Sequence, residues 1–441
     1  MITIALDCGA SFLKGAVFEA DGHLREFLLV PATPSARGED AKSVLLPLQA
    51  EALLDKVRSM LRKLSSGERR ARLCIANEMH GFLLTDAEGV PQMDYLSWQR
   101  SLGALPIEGG TAVSVLMQNC AEAIWRTGMP LRGSLPSANL LHLFRRGILA
   151  RMPGDLFFCT LGDYILRALA GKAAPIHPTN AAASGLYDLE NGEWSAPLIQ
   201  TVTGGRVRFP EVGESSVSFS LDGVVYEALP AVGDQQAALC GAGFCRGGQL
   251  SFNLGTGAQV SVLTDDFSHG EGVQVRPYFF GRYIRTLPHL PSGRALNVYI
   301  RFLLDVLSRF GMEADEERVW RVFLEAAASA EGACFEVDLS FFENPCSKRL
   351  TGLLAGFGEH EFDLGGLAAS ILKAMVRNFL WAAEQVRTPG QPVEELLFSG
   401  GVARRMGGIR KGIAAAYPAA RVCVAEDETL HGLWQYARHG F

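Results

Sequence analysis

An apolar run that ends on a polar turn with glycine, and resumes as a second apolar run, opens this chain and recurs in its second half. Ile2 to Leu6 leads into Asp7, the turn Cys8-Gly9-Ala10-Ser11 and Lys14, after which Ala16-Val17-Phe18 continues as a strand. Gln249 to Phe252 leads into Asn253-Leu254-Gly255-Thr256-Gly257-Ala258-Gln259, and Val260 to Leu263 follows. Each reads as a hairpin with glycine and a hydroxyl at its turn. One hairpin opening each half predicts an internally duplicated architecture, with one turn per half whose backbone N–H groups could cradle a phosphate. Asp7 could then serve a metal ion or its water, with Lys14 adding positive charge.

Length agrees with duplication, because 441 residues is long for one core and predicts two domains of roughly 200 residues each. The expected division is 1–245 and 246–441. A formal net charge of −6 argues against nucleic acid as the main partner, since no basic block exists to neutralise phosphates. A small anionic ligand needs only a local site. No stretch approaches the roughly 18 uninterrupted apolar residues of a membrane span, and Asp7 interrupts the first apolar run, so neither a membrane segment nor a leader is expected. The expected location is the cytoplasm. The nine cysteines contain no CxxC pair and fit reduced thiols, most of them small buried hydrophobes.

Along the chain, Pro31 to Asp40 is rich in turn formers, and Ser43 to Leu64 carries apolar residues at helical spacing. Arg72 to Ala76 reads as a short buried strand that delivers Asn77-Glu78-Met79-His80-Gly81. A histidine beside glycine at a strand end sits where ligand-contacting loops sit, although taken singly a satisfied structural histidine is the more common case. Tyr95 to Arg100, with Trp98, Gln99 and Arg100, offers flat apolar surface, an amide and a guanidinium, a set that suits a polyhydroxyl ligand or simply a buried tryptophan with polar neighbours. Helices are expected over Val113–Thr127, Ala138–Ile148 and Asp155–Leu169.

Gly233-Asp234-Gln235-Gln236 precedes the apolar stretch Ala237 to Gly243. Asp234 there is either a helix N-cap or a general base held at hydrogen-bond reach of a substrate hydroxyl. Further helices are expected over Ala295–Phe310, Glu316–Ala328 and Gly365–Val386. The apolar strand Glu394 to Phe398 runs directly into Ser399-Gly400-Gly401-Val402-Ala403-Arg404, where paired glycines allow a flat ligand to approach the backbone.

Taken in order, these stations resemble the FGGY family of carbohydrate kinases, within the wider group of sugar kinases, actin and heat-shock chaperones. The resemblance runs from Asp7 to Gly432 and looks most like the kinases of ketoses such as sedoheptulose or xylulose. It implies an α/β fold of two actin-like (ribonuclease H-like) domains, each a mixed sheet flanked by helices, with the active site in the cleft between them. It implies Asp7, Gly9, Ser11 and Lys14 as the first phosphate motif, with Asp7 serving the metal. Gly255, Thr256 and Gly257 match the second, and Gly400, Gly401 and Ala403 the adenosine motif. Met79, His80, Trp98, Gln99, Arg100 and Asp234 are the implied sugar contacts, Asp234 being also the catalytic base. ATP and Mg²⁺ are the implied cofactors and a small sugar or polyol the partner, with a homodimer left open. The sequence departs from the family at Ala10 and Phe12 in the first turn, at Glu78 where the family has glutamine, and after Trp98, where an aspartate is missing. A kinase-like sensor that binds sugar or nucleotide without turnover is the alternative these departures raise. Ser11-Phe12-Leu13-Lys14 also fits the Ser-x-x-Lys of penicillin-binding hydrolases, but their Ser-Asp-Asn and Lys-Thr-Gly partners are absent, as is a Walker A pattern.

Overall fold

The computed structural model describes residues 1–9, 11–32, 48–267, 272–330, 335–347, 349–359, 362–425 and 428–439. Ala10 and most of the turn-rich stretch after Pro31 lie outside them. The chain forms two compact units, one of Met1–Gly241, Val275–Tyr283 and Asp427–Phe441, the other of Ala242–Gln274 and Ile284–Glu426.

In the first unit the opening hairpin is longer than the sequence suggests. Ile2–Cys8 pairs antiparallel with Phe12–Phe18, and the register sets Asp7 directly opposite Lys14. Ile2–Cys8 also pairs in parallel with Arg70–Asn77, which in turn pairs in parallel with the two-residue strand Val232–Gly233. Leu24–Pro31 extends the sheet at one edge and the hairpin Val217–Leu221/Val224–Ala228 at the other. The strands turn Ile4, Leu6, Leu73 and Ile75 into a core closed by Val57, Leu61 and Leu64 of the helix Leu48–Leu64 and Ile165 of the helix Leu161–Ala170. Each such leucine or isoleucine contributes about 1.5–3 kcal/mol by leaving water.

One expected element is corrected. Asp155–Leu169 is not a single helix: Leu156–Cys159 is a strand, paired with Leu83–Thr85 and Val207–Arg208, and the helix begins only at Leu161. The Leu-Phe-Phe-Cys run is short, apolar and aromatic, which favours a buried strand. Thr160 then starts the helix through a capping box with Asp163.

The second unit repeats the plan. Gln249–Leu254 pairs antiparallel with Ala258–Thr264 and in parallel with Glu395–Ser399, beside which Arg421–Val424 adds a further parallel strand. The long helix Leu364–Val386 starts on Asp363, whose side chain accepts the Gly366 N–H. It lays Ile371, Met375 and Phe379 against Phe252, Val260 and Phe398 of the strands. Among the described residues no helix is long and apolar enough to cross a membrane.

Candidate active site

Three parallel strands of the first unit end level with one another, and each hands a carboxylate to the same edge. Asp7 stands opposite Ala76, and Cys8 opposite Asn77; Gly233 is also opposite Asn77. Glu78 and Asp234 are therefore the first residues past the sheet on their strands, and Asp7 is the last but one on its own. The carboxyl ends of parallel strands are where open α/β sheets place ligands.

Charge crowding sets the chemistry of this edge. Asp7 is buried and lies 3.4 Å from Lys14 Nζ; desolvation raises its pKa and Lys14 opposes the rise. Asp234 opens the helix Asp234–Gly241, with its Oδ1 accepting the Gln235 N–H at 2.8 Å. Desolvation first and the charge of Asp7 second lift its carboxyl to about 7, while the Gln235 N–H and Arg276 pull the other way. Glu78 is 5% exposed, and neither of its carboxylate oxygens makes a hydrogen bond of standard geometry. Burial raises it to about 7, against smaller opposing effects of Tyr95 and Trp98. A carboxyl near 7 can take a proton in one step and release it in the next.

Arg276 completes this edge, and nothing in the sequence near it announces the role. It comes from Val275–Tyr283, the segment that belongs with the first unit although it follows the start of the second. Its Nη1 donates to Gln235 Oε1 and lies 3.8 Å from Met79 Sδ. Burial, then the neighbouring Arg132, lowers its pKa to about 9, and Asp234 holds it up. Tyr95 is a second contributor, folded so closely over Gly81 that a Cβ there would come within 1.8 Å of its hydroxyl oxygen.

The remaining expected sugar contacts divide. Met79 is buried at this edge. His80 takes a positive φ of 66° and donates from Nδ1 to the Ala183 carbonyl at 2.8 Å, so its ring is pinned by a structural bond that fixes its tautomer. Trp98 is 46% exposed and Gln99 is exposed. Arg100 is held in its loop by backbone bonds, its N–H to Ser97 O and its carbonyl to Asn139 Nδ2.

At the first turn Gly9 donates its N–H to Phe12 O at 3.2 Å, Ser11 is exposed, and Phe12 turns 45% of its surface outward. The Gly9 amide is thus spent on closing the hairpin. The second turn closes in the same manner, with the Gly255 N–H on Gly257 O at 3.0 Å.

Next to that second turn the second unit holds a cavity of about 990 Å³, lined by Gly255, Thr256, Gly401, Asn297, Trp320 and Arg321 among others. Gly400, which precedes the lining residue Gly401, takes a φ of +88°, where a Cβ would meet Leu254 O at 2.5 Å. A Cβ on Gly257 or Gly401, by contrast, would meet nothing within 4 Å. Ala403 does not line the cavity; it is fully buried in the core. Asn297, Trp320 and Arg321 were not legible as site residues, because they sit on helices whose pattern announces only a core-facing stripe.

The residues fit a nucleotide with Mg²⁺. The cavity has the size of a cofactor site and two glycines open toward space. A single buried carboxylate such as Asp7 suits Mg²⁺, which keeps its waters and takes substrate phosphates as ligands. Among the described residues no group of metal-ligating side chains forms an all-protein cage.

Comparison with known proteins agrees with this geometry. No family model matches the chain. Over 471 aligned positions the chain is 20% identical to the sedoheptulokinase of Mus musculus, covering 97% of this chain and 94% of that one. The xylulose kinase from Rhodospirillum rubrum has the same fold, with a TM-score of 0.82 at 16% identity over 100% of this chain and 90% of that one. In sequence the chain is thus similar to carbohydrate kinases over nearly its whole length, and it shares the fold of the xylulose kinases. A shorter match, 32% identical over 114 residues, links it to the glycerol kinase of Pseudomonas tolaasii, across 26% of this chain and 23% of that one. The chain thus spans less than a quarter of the length of the first glycerol kinases it matches.

Proposed function

We propose that this chain is an FGGY-type carbohydrate kinase that transfers the γ-phosphoryl group of ATP to a hydroxyl of a small polyhydroxy acceptor, with ketoses such as sedoheptulose or xylulose as first candidates. The observation that carries the reading is Asp234, a carboxylate at a strand-to-helix junction whose pKa is lifted to about 7 by burial and by Asp7. The acceptor hydroxyl loses its proton to Asp234 as its oxygen bonds to the γ-phosphorus; the bond from that phosphorus to the β–γ bridging oxygen breaks, and ADP leaves. Arg276 and the Gln235 N–H keep Asp234 oriented and partly ionised. Gly255, Thr256, Gly257, Gly400 and Gly401 would hold the nucleotide, Lys14 and Ser11 would meet its phosphates, and Asp7 would carry the Mg²⁺ that screens their charge.

An ADP-release screen over ketoses, aldoses and polyols tests the reading. Turnover with at least one acceptor, lost on Asp234→Asn, is the expected result. Sugar binding without any turnover would overturn it in favour of a non-catalytic sensor, the reading that Glu78 and the altered first turn favour.

A further inference from the structure

Glu78 is the member of the carboxylate edge that the proposed reaction leaves unused. It is 5% exposed, and the donors that face it are neutral ones, the Tyr95 hydroxyl and the Trp98 indole, neither at standard hydrogen-bond geometry. Its neighbours are unequal to it in charge. Asp7 has Lys14 at 3.4 Å and Asp234 faces Arg276, whereas no salt bridge to Glu78 occurs among the described residues. A buried carboxylate faced only by neutral donors is costly until a donor of opposite charge reaches it. Neutral hydroxyls would fill the acceptor sites but leave the charge uncompensated. A primary ammonium brings three donors and the charge together.

We propose that Glu78 is a specificity-determining residue, selecting an acceptor that carries a primary ammonium group along its hydroxyl chain: an amino-polyol or an amino sugar. The ammonium sits on the two Glu78 oxygens with Tyr95 beside it, and a hydroxyl of the same molecule faces Asp234. A glutamine in this place presents one acceptor and two donors and confers no such preference. The inference deepens the kinase reading and rests on it for the chemistry at Asp234, but not for the binding.

Matched acceptors separate the two. Binding is measured by calorimetry without nucleotide, and ADP release with ATP and Mg²⁺, for glycerol against 2-amino-1,3-propanediol and for sorbitol against glucamine. The wild type is expected to bind and use the amine of each pair about 10- to 100-fold better than its neutral partner, and Glu78→Gln to abolish that preference. Glu78→Asp, which keeps the charge, is expected to retain part of it, and thermal midpoints confirm that both variants fold. Equal or better use of the neutral partners by the wild type, or a preference that survives Glu78→Gln, overturns the inference while leaving the kinase reading intact. Glu78-dependent amine binding with no ADP release supports the inference and removes the kinase reading instead.

Discussion

The two hairpins occupy equivalent places in their units, and they differ in what stands at their turns. The first ends in a crowded polar edge: burial pushes the pKa values of Asp7, Glu78 and Asp234 upward, and at Asp234 the charges of Asp7 and Glu78 add to the rise. The second ends in backbone and space, with glycines that face open volume and no carboxylate at the turn itself. Proton transfer needs a side chain tuned near the working pH, and tuning needs desolvation and neighbouring charge. Holding a phosphate chain needs N–H groups and room. The first unit thus offers side chains tuned by burial at its turn, and the second offers backbone and open space.

Exchanging the properties of the two edges breaks the comparison most sharply at Asp234. Asp234→Asn keeps the shape and removes the base, so turnover is expected to fall about 10²- to 10⁴-fold with acceptor and ATP binding retained. The same variant should be the more stable protein at neutral pH. Asp234 has a folded pKa of about 7 against 3.8 in an exposed chain, so the folded form holds a proton that the unfolded form releases between those values. Its contribution to stability is therefore lost as pH rises from about 4 to about 7. Thermal midpoints at pH 8 should rise by a few degrees in Asp234→Asn, and the gain should vanish near pH 4; the opposite order would contradict the burial account.

A pH profile gives the next largest effect. With wild-type protein kcat/KM should fall about tenfold per unit on the acid side of an apparent pKa near 7, a value that belongs to the coupled edge rather than to Asp234 alone. A flat profile down to pH 5 would remove the need for a tuned carboxylate.

Smaller effects sharpen the second edge. Gly400→Ala places a Cβ at a φ of +88° and against Leu254 O, and is expected to destabilise the protein by about 1–3 kcal/mol in denaturant melts. Gly401→Ala meets no neighbour, so it should leave stability within about 0.5 kcal/mol while raising the KM for ATP several-fold if that face receives the nucleotide. Equal effects on stability from the two substitutions would show that the paired glycines do not divide between fold and ligand.

Much of this framework was legible in the sequence because its signals are local. An apolar run followed by Asp7, by Glu78 or by Gly400 announces a strand end, and strand ends of a parallel sheet share an edge. The register that makes Asp7, Glu78 and Asp234 neighbours is non-local, and so is the return of Val275–Tyr283 that brings Arg276 to Gln235. His80 stands in a loop that the family resemblance marks as a sugar contact, yet its ring bonds Ala183 O, a partner far away in the chain. The stretch 155–169 has the pattern of one helix because a four-residue buried strand and the first turn of a helix look alike in apolar content, and only the capping box at Thr160 separates them.

The central claim is that this chain moves a phosphoryl group onto an acceptor hydroxyl with Asp234 as the base, and the fate of labelled phosphate tests it most directly. Protein, Mg²⁺, γ-labelled ATP and an acceptor from the panel above should yield label in an acceptor phosphate ester with the wild type and almost none with Asp234→Asn. Label that appears only as inorganic phosphate, or an ester yield unchanged in Asp234→Asn, would contradict it.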